Sequence, residues 1–554
     1  MKKIGLKNFR RFETFNLLEY SGITFLVGRN NSGKSTVVKA LLLLDNYFKS
    51  GDIKSFSFGN NILEDANIVT FSRAKYNKTK ENLIVFTICI ENFYFDVTIS
   101  GEDNDTYARV NELRIWDWAT YFDFTFTPQI QAVTITKNFN DIKADEKDDL
   151  LLDFDKEINN LNNLISKSKL KKTSKEYIDL LDNLNNLKNK RNQIVHGIYP
   201  IDNDADSNVS ESGEDIEILP LTESISSYSF TTHYPEGKNL KEIINFAIEE
   251  AIDLHGVEFN KSQQGLETVE EFEDYRGIKQ EKSELETSFN DFYDLTHNNT
   301  LTYLGANAIK QSALFAIRDK NNALAQAINE FKQLNIERGE EEHRFVMKWM
   351  KEFEVGDDFT IVMHAGEAYE LKIKSGDFEI QLADKGMGSI QAMLLIMRMA
   401  CAIRKKNLQE KKSASTNYLD GKESKQLSYY YNHINKTTII IEEPELNLHP
   451  ALQSKLADLF LLVHEEHKID FIIETHSEYV LRRSQVLVAE NELEIFPNSN
   501  PFCVHYFPKE MDQIPYQLKY QPDGTFDKNF GTGFFDTASL DTLKLLRIKR
   551  EKKA

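Results

Sequence analysis

The run Gly28-Arg29-Asn30-Asn31-Ser32-Gly33-Lys34-Ser35 fits the pattern GxxxxGK[ST]. It follows an apolar stretch, Ile23 to Val27, and opens a helix-like stretch, Thr36 to Leu44. That context suits phosphate chemistry. Glycines let backbone N–H groups wrap a polyphosphate, Lys34 reaches the terminal phosphates, and the Ser35 hydroxyl is placed to ligate magnesium. The helix starting there adds its positive dipole end. Gly28 to Thr36 is therefore a candidate binding loop for ATP or GTP.

A second stretch, Thr437 to Glu443, is an apolar strand ending in two adjacent carboxylates, followed by Pro444 and Glu445. Such a pair divides the labour of hydrolysis: Glu442 would hold magnesium and Glu443 would polarise the water that attacks the γ-phosphate. Aspartate is usual at the first position, so the longer Glu442 is expected to touch the metal indirectly or to sit on a strand set slightly back. Some thirty residues on, Phe471-Ile472-Ile473-Glu474-Thr475-His476-Ser477 gives another apolar strand with a polar turn. His476 at that strand end could hydrogen-bond the γ-phosphate without being charged. Lys34, Glu443 and His476 are thus the candidate catalytic groups.

Between these elements, Lys385-Gly386-Met387-Gly388-Ser389-Ile390-Gln391 leads into an apolar helix, Ala392 to Ala402. Glycines plus serine at a helix start make a further anion cradle. One nucleotide seldom needs two cradles from one chain, whereas two chains arranged head to tail could use both. An ATP-closed dimer is the expectation.

These groups need elements to hold them. Alternation over Ile4 to Leu26 and over Leu83 to Ile115 predicts antiparallel strands beside the loop. Apolar residues at Phe154, Ile158, Leu161 and Ile165, then at Tyr177, Leu180, Leu184 and Leu187, predict helix over about 150–195. The polar Ser166 to Ser174 stretch leaves two forms open, an antiparallel coiled-coil hairpin or one continuous helix. The acidic, Ser-rich Asp202 to Asp215 segment reads as a mobile linker. Helix is expected over Leu240 to Asp253 and Ala306 to Phe353, and strands at Phe359 to Met363, Tyr369 to Ile373 and Glu379 to Leu382.

At 554 residues, 41% hydrophobic and 28% charged, the chain has the composition of a soluble protein of two or three structural units. No stretch reads as a membrane span, and Met1 to Lys7 lacks the pattern of a signal peptide, so a cytoplasmic protein with no membrane contact is expected. Cys89, Cys401 and Cys503 lie far apart, which suits buried thiols better than disulfides or zinc. The formal charge of -20 argues against a surface that coats DNA, although Lys167–Lys175 and Lys544–Lys553 are locally basic.

Taken in order, the loop, the long insertion, the Gly386 helix start, Glu442-Glu443-Pro444-Glu445-Leu446-Asn447-Leu448-His449-Pro450 and Thr475-His476-Ser477 resemble the ABC-type ATPases related to RecF, SMC and OLD proteins. The resemblance implies an α/β ABC-ATPase head, with a mixed central sheet, an antiparallel β subdomain and an inserted helical, coiled-coil subdomain. It divides the chain into an N-terminal lobe (1–136), a helical insertion (137–305), a C-terminal lobe (306–490) and a small extension (491–554). It makes Lys385, Gly386, Gly388, Ser389 and Gln391 a divergent signature acting on the partner's ATP, Glu445 to His449 the D-loop and His476 the switch histidine. The Q-loop glutamine stays unassigned, with Gln129 and Gln131 as weak candidates.

OLD-type nucleases carry a Toprim domain after the ATPase, and the stretch from Glu478 to Ala554 is short for one. No HNH or PD-(D/E)xK arrangement is seen, so nuclease activity is not expected in this chain. The chain is similar instead to the stand-alone sensor ATPases of anti-phage systems such as PARIS and Septu. Two functions compete: a homo-oligomeric regulatory ATPase controlling a separate effector such as a nuclease, and a RecF-like ATPase clamping duplex DNA. The acidic balance favours the first and leaves DNA as a secondary partner.

Overall fold

The computed structural model describes residues 2–59, 68–90, 93–117, 122–138, 227–250, 299–306, 312–319, 321–417, 436–493, 500–509, 513–531 and 537–551, with Tyr293, Thr296, His297 and Phe535 besides. It divides into two compact units, one of Met1–Ile115, Thr125–Val133 and Thr232–Ala554, the other of Trp116–Phe124 and Thr134–Thr231. Most of the second unit lies outside the described residues. So do the expected arm at 150–195, the basic run Lys167–Lys175 and the acidic Asp202 to Asp215 segment.

In chain order the elements begin with β1 (Lys2–Phe9), β2 (Phe12–Tyr20), β3 (Ile23–Gly28), α1 (Lys34–Ser50), β4 (Ser55–Ser57), α2 (Phe71–Ala74), β5 (Leu83–Ile90), β6 (Phe93–Ser100) and β7 (Tyr107–Asp117). Then come β8 (Phe122–Thr127), β9 (Ala132–Asn138), β10 (Ser227–His233), β11 (Thr300–Leu304) and β12 (Phe315–Ala316). The C-terminal half holds α3 (Ala323–Gln333), α4 (Glu341–Glu352), β13 (Asp358–His364), β14 (Ala368–Ser375), β15 (Phe378–Gln381) and α5 (Met387–Asn417). It ends with β16 (Thr437–Glu442), α6 (Pro450–His467), β17 (Ile469–Thr475), α7 (Glu478–Glu490), β18 (Phe502–Phe507), β19 (Tyr516–Leu518) and α8 (Thr537–Glu551).

The sheet that positions the site runs β11-β16-β17-β3-β18-β19. Every pairing in it is parallel except that of β19 with β18. Strands covered on both faces read as continuous apolar runs, and β3 and β18 are buried at every position. The register sets Ile441 beside Ile473 and Ile473 beside Phe25, all fully or nearly fully buried. Parallel strands bring their carboxyl ends to one edge, where open α/β sheets bind ligands. Here Gly28, Glu442 and Thr475 end their strands on that edge. A residue near position 28 and others near 442 and 475 are thereby made neighbours.

Within the first unit β1 lies between β2 and β5, antiparallel to both, and β6 continues the sheet. Alternating burial along β6 is the period-two signature of a half-buried strand. A third, smaller sheet pairs β13 and β15 with β14. The fold class is α/β, with a mixed parallel core sheet and an antiparallel β subdomain.

Two expectations are revised. Ala306 to Phe353 is not helical throughout: it holds β12 and the two helices α3 and α4, and Asn335 (φ 49°) and Gly339 (φ 89°) break the helical path between them. Secondly, part of α5, Met387–Lys411, is long and apolar enough to cross a membrane. It is a core helix that packs against α3 and α4, with Met393, Ile396, Met397, Ala400 and Ile403 at 0% exposure. Its Arg398 donates to Glu330, Gln326 and the Ala323 carbonyl through its two terminal nitrogens, while Nε has no partner among the described residues.

The β17 core is the structural linchpin of the edge. Phe471 is 1% exposed and its ring stands 5.1 Å from that of Phe460 on α6. Phe471→Ala is expected to cost about 3–5 kcal/mol through lost burial and the cavity left behind. Urea unfolding with an unchanged m-value checks this, and a loss below about 1 kcal/mol would show that the site collapses freely.

Candidate nucleotide site

At the sheet edge the chain leaves β3, turns through residues 29–33 and enters α1. Gly33 adopts φ 104°, and a Cβ there would lie 2.5 Å from the Phe12 ring, so only glycine fits. The N-terminus of α1 has no side-chain cap and no acidic residue in its first turn. Apart from the Thr36 N–H, which the Gly33 carbonyl accepts at 3.0 Å, this uncapped helix start suits an anion. The Ser32 hydroxyl is 2% exposed and has no partner in the protein. A buried hydroxyl of this kind costs free energy unless it is satisfied, and it borders a cavity of about 740 Å³.

That cavity is lined by Asn30 to Thr36 and by Glu443, Glu474 and His476. Its other wall is cationic, with Arg10, Arg11, Lys39, Arg73 and Lys78. In a chain of net charge -20 this is a local reversal of sign, suited to a polyphosphate. The orphaned hydroxyl, the uncapped helix and the basic wall together fit a nucleotide. Gly28 and Arg29 act through their carbonyls, which accept hydrogen bonds from Lys34 Nζ at 3.0 and 3.1 Å.

Lys34 is 3% exposed, and its Nζ also stands 3.6 Å from Glu474 Oε1. Burial lowers its pKa, against the opposing pull of Glu474. Burial likewise raises that of Glu474, against the pull of Lys34 and Ser35. The lysine has therefore already left bulk water, and little further desolvation opposes its transfer to a phosphate. Ser35 Oγ donates to Glu474 Oε2 at 2.8 Å.

Glu443, at φ 48°, holds a left-handed backbone that is costly for a residue with a Cβ. Its N–H donates to the Glu474 carbonyl at 2.7 Å, which ties the end of β16 to β17. The His476 ring approaches its carboxylate to 3.9 Å. Burial, and then the nearby Lys34, push the His476 pKa down to about 4, so the imidazole is neutral at pH 7. Its backbone N–H donates to Glu445 Oε1 at 2.7 Å. Below it Ser477 caps α7 by accepting from the Val480 N–H.

The remaining expected residues fall into two groups. Glu442 does not line the cavity; its carboxylate takes hydrogen bonds from the Tyr303 hydroxyl and the Ala306 N–H. The carboxylate that contacts Ser35 is that of Glu474. Lys385, Gly386, Gly388, Ser389 and Gln391 also lie off the cavity. Lys385 Nζ donates to the Val355 carbonyl and, at 3.4 Å, to Ser375 Oγ. Gln391 Nε2 donates to the Pro444 carbonyl at 3.2 Å. A Cβ on Gly388 would lie 2.6 Å from the Asn447 carbonyl oxygen, so the helix start rests directly on the turn after Glu443. Gln129 donates to the Lys54 and Val110 carbonyls, and neither it nor Gln131 borders the cavity.

Three contributors are absent from the sequence expectation. Glu474 lies inside an apolar strand motif without a pattern of its own. Arg11 donates to the carbonyls of Asn31, Pro508 and Lys509 and so clamps the loop to the end of β18. Arg10 faces the cavity from the β1–β2 turn. The Arg10-Arg11 pair was visible as a basic dipeptide, but only the fold puts it beside residue 31.

His476 and His505, both held near pKa 4 by burial from an ordinary 6.5, disfavour the folded state on protonation. Their contribution to stability is present above pH 6.5 and is lost as pH falls from 6.5 through 4. NMR titration of the His476 ring is expected to show no midpoint between about pH 8 and about pH 6, and a midpoint near the free value of about 6.5 would contradict the buried, neutral ring.

No curated protein matches the chain in sequence. Among solved structures it is similar to an Smc head domain with an extended coiled coil, bound to the C-terminal domain of ScpA, from Pyrococcus furiosus (11% identity, 99% of this chain and 100% of that one, TM-score 0.33). It is similar also to an Smc head domain with a coiled coil and joint from Pyrococcus yayanosii (9% identity, 95% and 98%, TM-score 0.31). A third is the SMC head domain from Thermotoga maritima (10% identity, 93% and 98%, TM-score 0.29). The family model described as an AAA ATPase domain matches residues 1–481, which include every site residue named above from Arg10 to His476. The chain belongs to that AAA ATPase family, and it is an ATPase.

Proposed function

We propose that this protein is an ABC-type ATPase that works as a head-to-tail pair, each copy completing the other's ATP site, and that the closed pair controls a separate effector protein such as a nuclease. The observation that carries this reading is the placement of Gly386 to Gln391. That helix start lies off its own chain's cavity, yet Gly388 and Gln391 rest on the Pro444–Asn447 turn that immediately follows Glu443. An anion cradle placed there suits the phosphates of a partner's nucleotide, and its contact with the turn couples that nucleotide to Glu443. The resemblance of the chain to stand-alone sensor ATPases of anti-phage systems supports an effector on another chain.

In this mechanism Lys34 and the start of α1 hold the β- and γ-phosphates, and Ser35 with a neighbouring carboxylate holds Mg²⁺. The cation, when bound, neutralises charge that develops between the phosphates. Glu443 accepts a hydrogen bond from the attacking water and draws its proton away as the oxygen meets the γ-phosphorus. Neutral His476, 3.9 Å from Glu443, donates its one ring N–H to the γ-phosphate. Hydrolysis then resets the pair.

Two variants test the pairing. Lys34→Ala removes nucleotide binding at its own site, and Ser389→Arg blocks the cradle offered to the partner. Each alone is expected to be inactive, while an equal mixture recovers about a quarter of wild-type turnover, because half of randomly formed dimers are mixed and each holds one whole site. No recovery on mixing would exclude the shared site. Glu443→Gln is expected to bind ATP with about wild-type affinity and to lower turnover by roughly a hundredfold or more, the usual scale for losing a general base. Phosphate release measures this, and unchanged turnover would remove Glu443 from the reaction.

A further inference from the structure

The carboxylate nearest the loop serine comes from an unexpected strand. β17 lies between β3 and β16, and Glu474 is in register with Leu26 on one side and Glu442 on the other. Glu442 is therefore one strand further from the loop than Glu474. Glu442 is also engaged elsewhere, by the Tyr303 hydroxyl and the Ala306 N–H. Glu474 instead places Oε2 at 2.8 Å from Ser35 Oγ and Oε1 at 3.6 Å from Lys34 Nζ. Lys34 thus orients one oxygen of the carboxylate, and the other shares its position with the serine hydroxyl.

We propose that Glu474, in place of Glu442, is the carboxylate that joins Ser35 in holding the divalent cation of the bound nucleotide. This inference rests on the nucleotide site proposed above. Two hard oxygens, one neutral and one anionic, meeting at one point are what magnesium takes from a protein, since phosphates and water supply the rest of its octahedron. Among the described residues no group of three or more His, Cys, Asp or Glu side chains could hold a metal by itself. The cation would therefore bind with the nucleotide and not before it. The buried Ser32 hydroxyl, unpartnered beside the same cavity, independently points to a ligand that reaches this depth of the loop. Glu442 then acts as a structural brace between β16 and the Tyr303–Ala306 segment.

The test uses the full chain with the non-hydrolysable analogue AMP-PNP, and Mn²⁺ as an EPR-visible substitute for magnesium. Glu474→Gln is expected to weaken Mn²⁺ binding to the AMP-PNP complex by about tenfold or more, and Glu442→Gln by less than about threefold, on the scale seen when metal-supporting groups are removed. Binding of AMP-PNP in EDTA should change little in either variant. Ser35→Ala combined with Glu474→Gln should lose less than the product of the two single effects, because both side chains serve one ion. If Glu474→Gln does not fold, as judged by circular dichroism, Glu474→Asp takes its place and should weaken Mn²⁺ by a smaller factor at unchanged nucleotide affinity. Wild-type Mn²⁺ affinity in the Glu474 variant, a larger loss in Glu442→Gln, or independent effects of Ser35 and Glu474 would each overturn the assignment. Failure of the wild-type chain to bind AMP-PNP at all would instead overturn the nucleotide site beneath it.

Discussion

Parallel pairing of β3 with β17, and of β17 with β16, is the constraint on which the site depends. It joins residues 23–28 to residues 437–475 across most of the chain, in one register that sets Leu26, Glu474 and Glu442 side by side. A shift of one residue would turn Glu474 to the opposite face of the sheet and remove the ligand of both Lys34 and Ser35. Closing so long a loop costs entropy, and the return is burial of Ile23, Phe25, Ile439, Ile441, Phe471 and Ile473 in one core. The same apolar contacts that stabilise the sheet thus fix the geometry of its polar edge.

That edge concentrates opposed charges under partial burial. Glu442, Glu445 and Glu474 all have raised pKa values, with burial as the first cause, and Lys34 is lowered for the same reason. Glu445 keeps one oxygen without a partner. Such a group is expensive to maintain, and a site that exchanges partners during a cycle is where such a cost is tolerated. The left-handed backbone at Glu443 and Asn447 adds strain to the turn that carries Glu445 and touches Gly388. A turn held between β17 and the start of α5 can transmit a change at one to the other.

Much of this was legible in the sequence. The loop from Gly28 to Ser35 has a fixed spacing, its glycines have a steric reason, and the flanking apolar runs of β3 and α1 announce their elements. The strand pair β5–β6 follows from alternation, because β6 has one face on the core. What was not legible is what tertiary pairing decides. Glu474 is one acidic residue inside Phe471 to Ser477, and nothing local separates it from Glu442 until the strand order places it nearer the loop. Arg11 is likewise an ordinary surface arginine until β18 arrives beside residue 31. The helical expectation over Ala306 to Phe353 missed Asn335 and Gly339, since apolar spacing continues across the break while the backbone does not. In α5 the partly buried Arg398 and the polar tail hid the length of the apolar helix.

We propose that the ATP site is completed by the Gly386–Gln391 helix start of a second copy. A cryo-EM structure of Glu443→Gln in saturating Mg-ATP tests it most directly. The expected result is a two-fold pair with Ser389 of each copy within hydrogen-bond distance of the γ-phosphate bound by the other copy. A single copy enclosing ATP alone, or a pair joined through some other face with both helix starts in solvent, would contradict it.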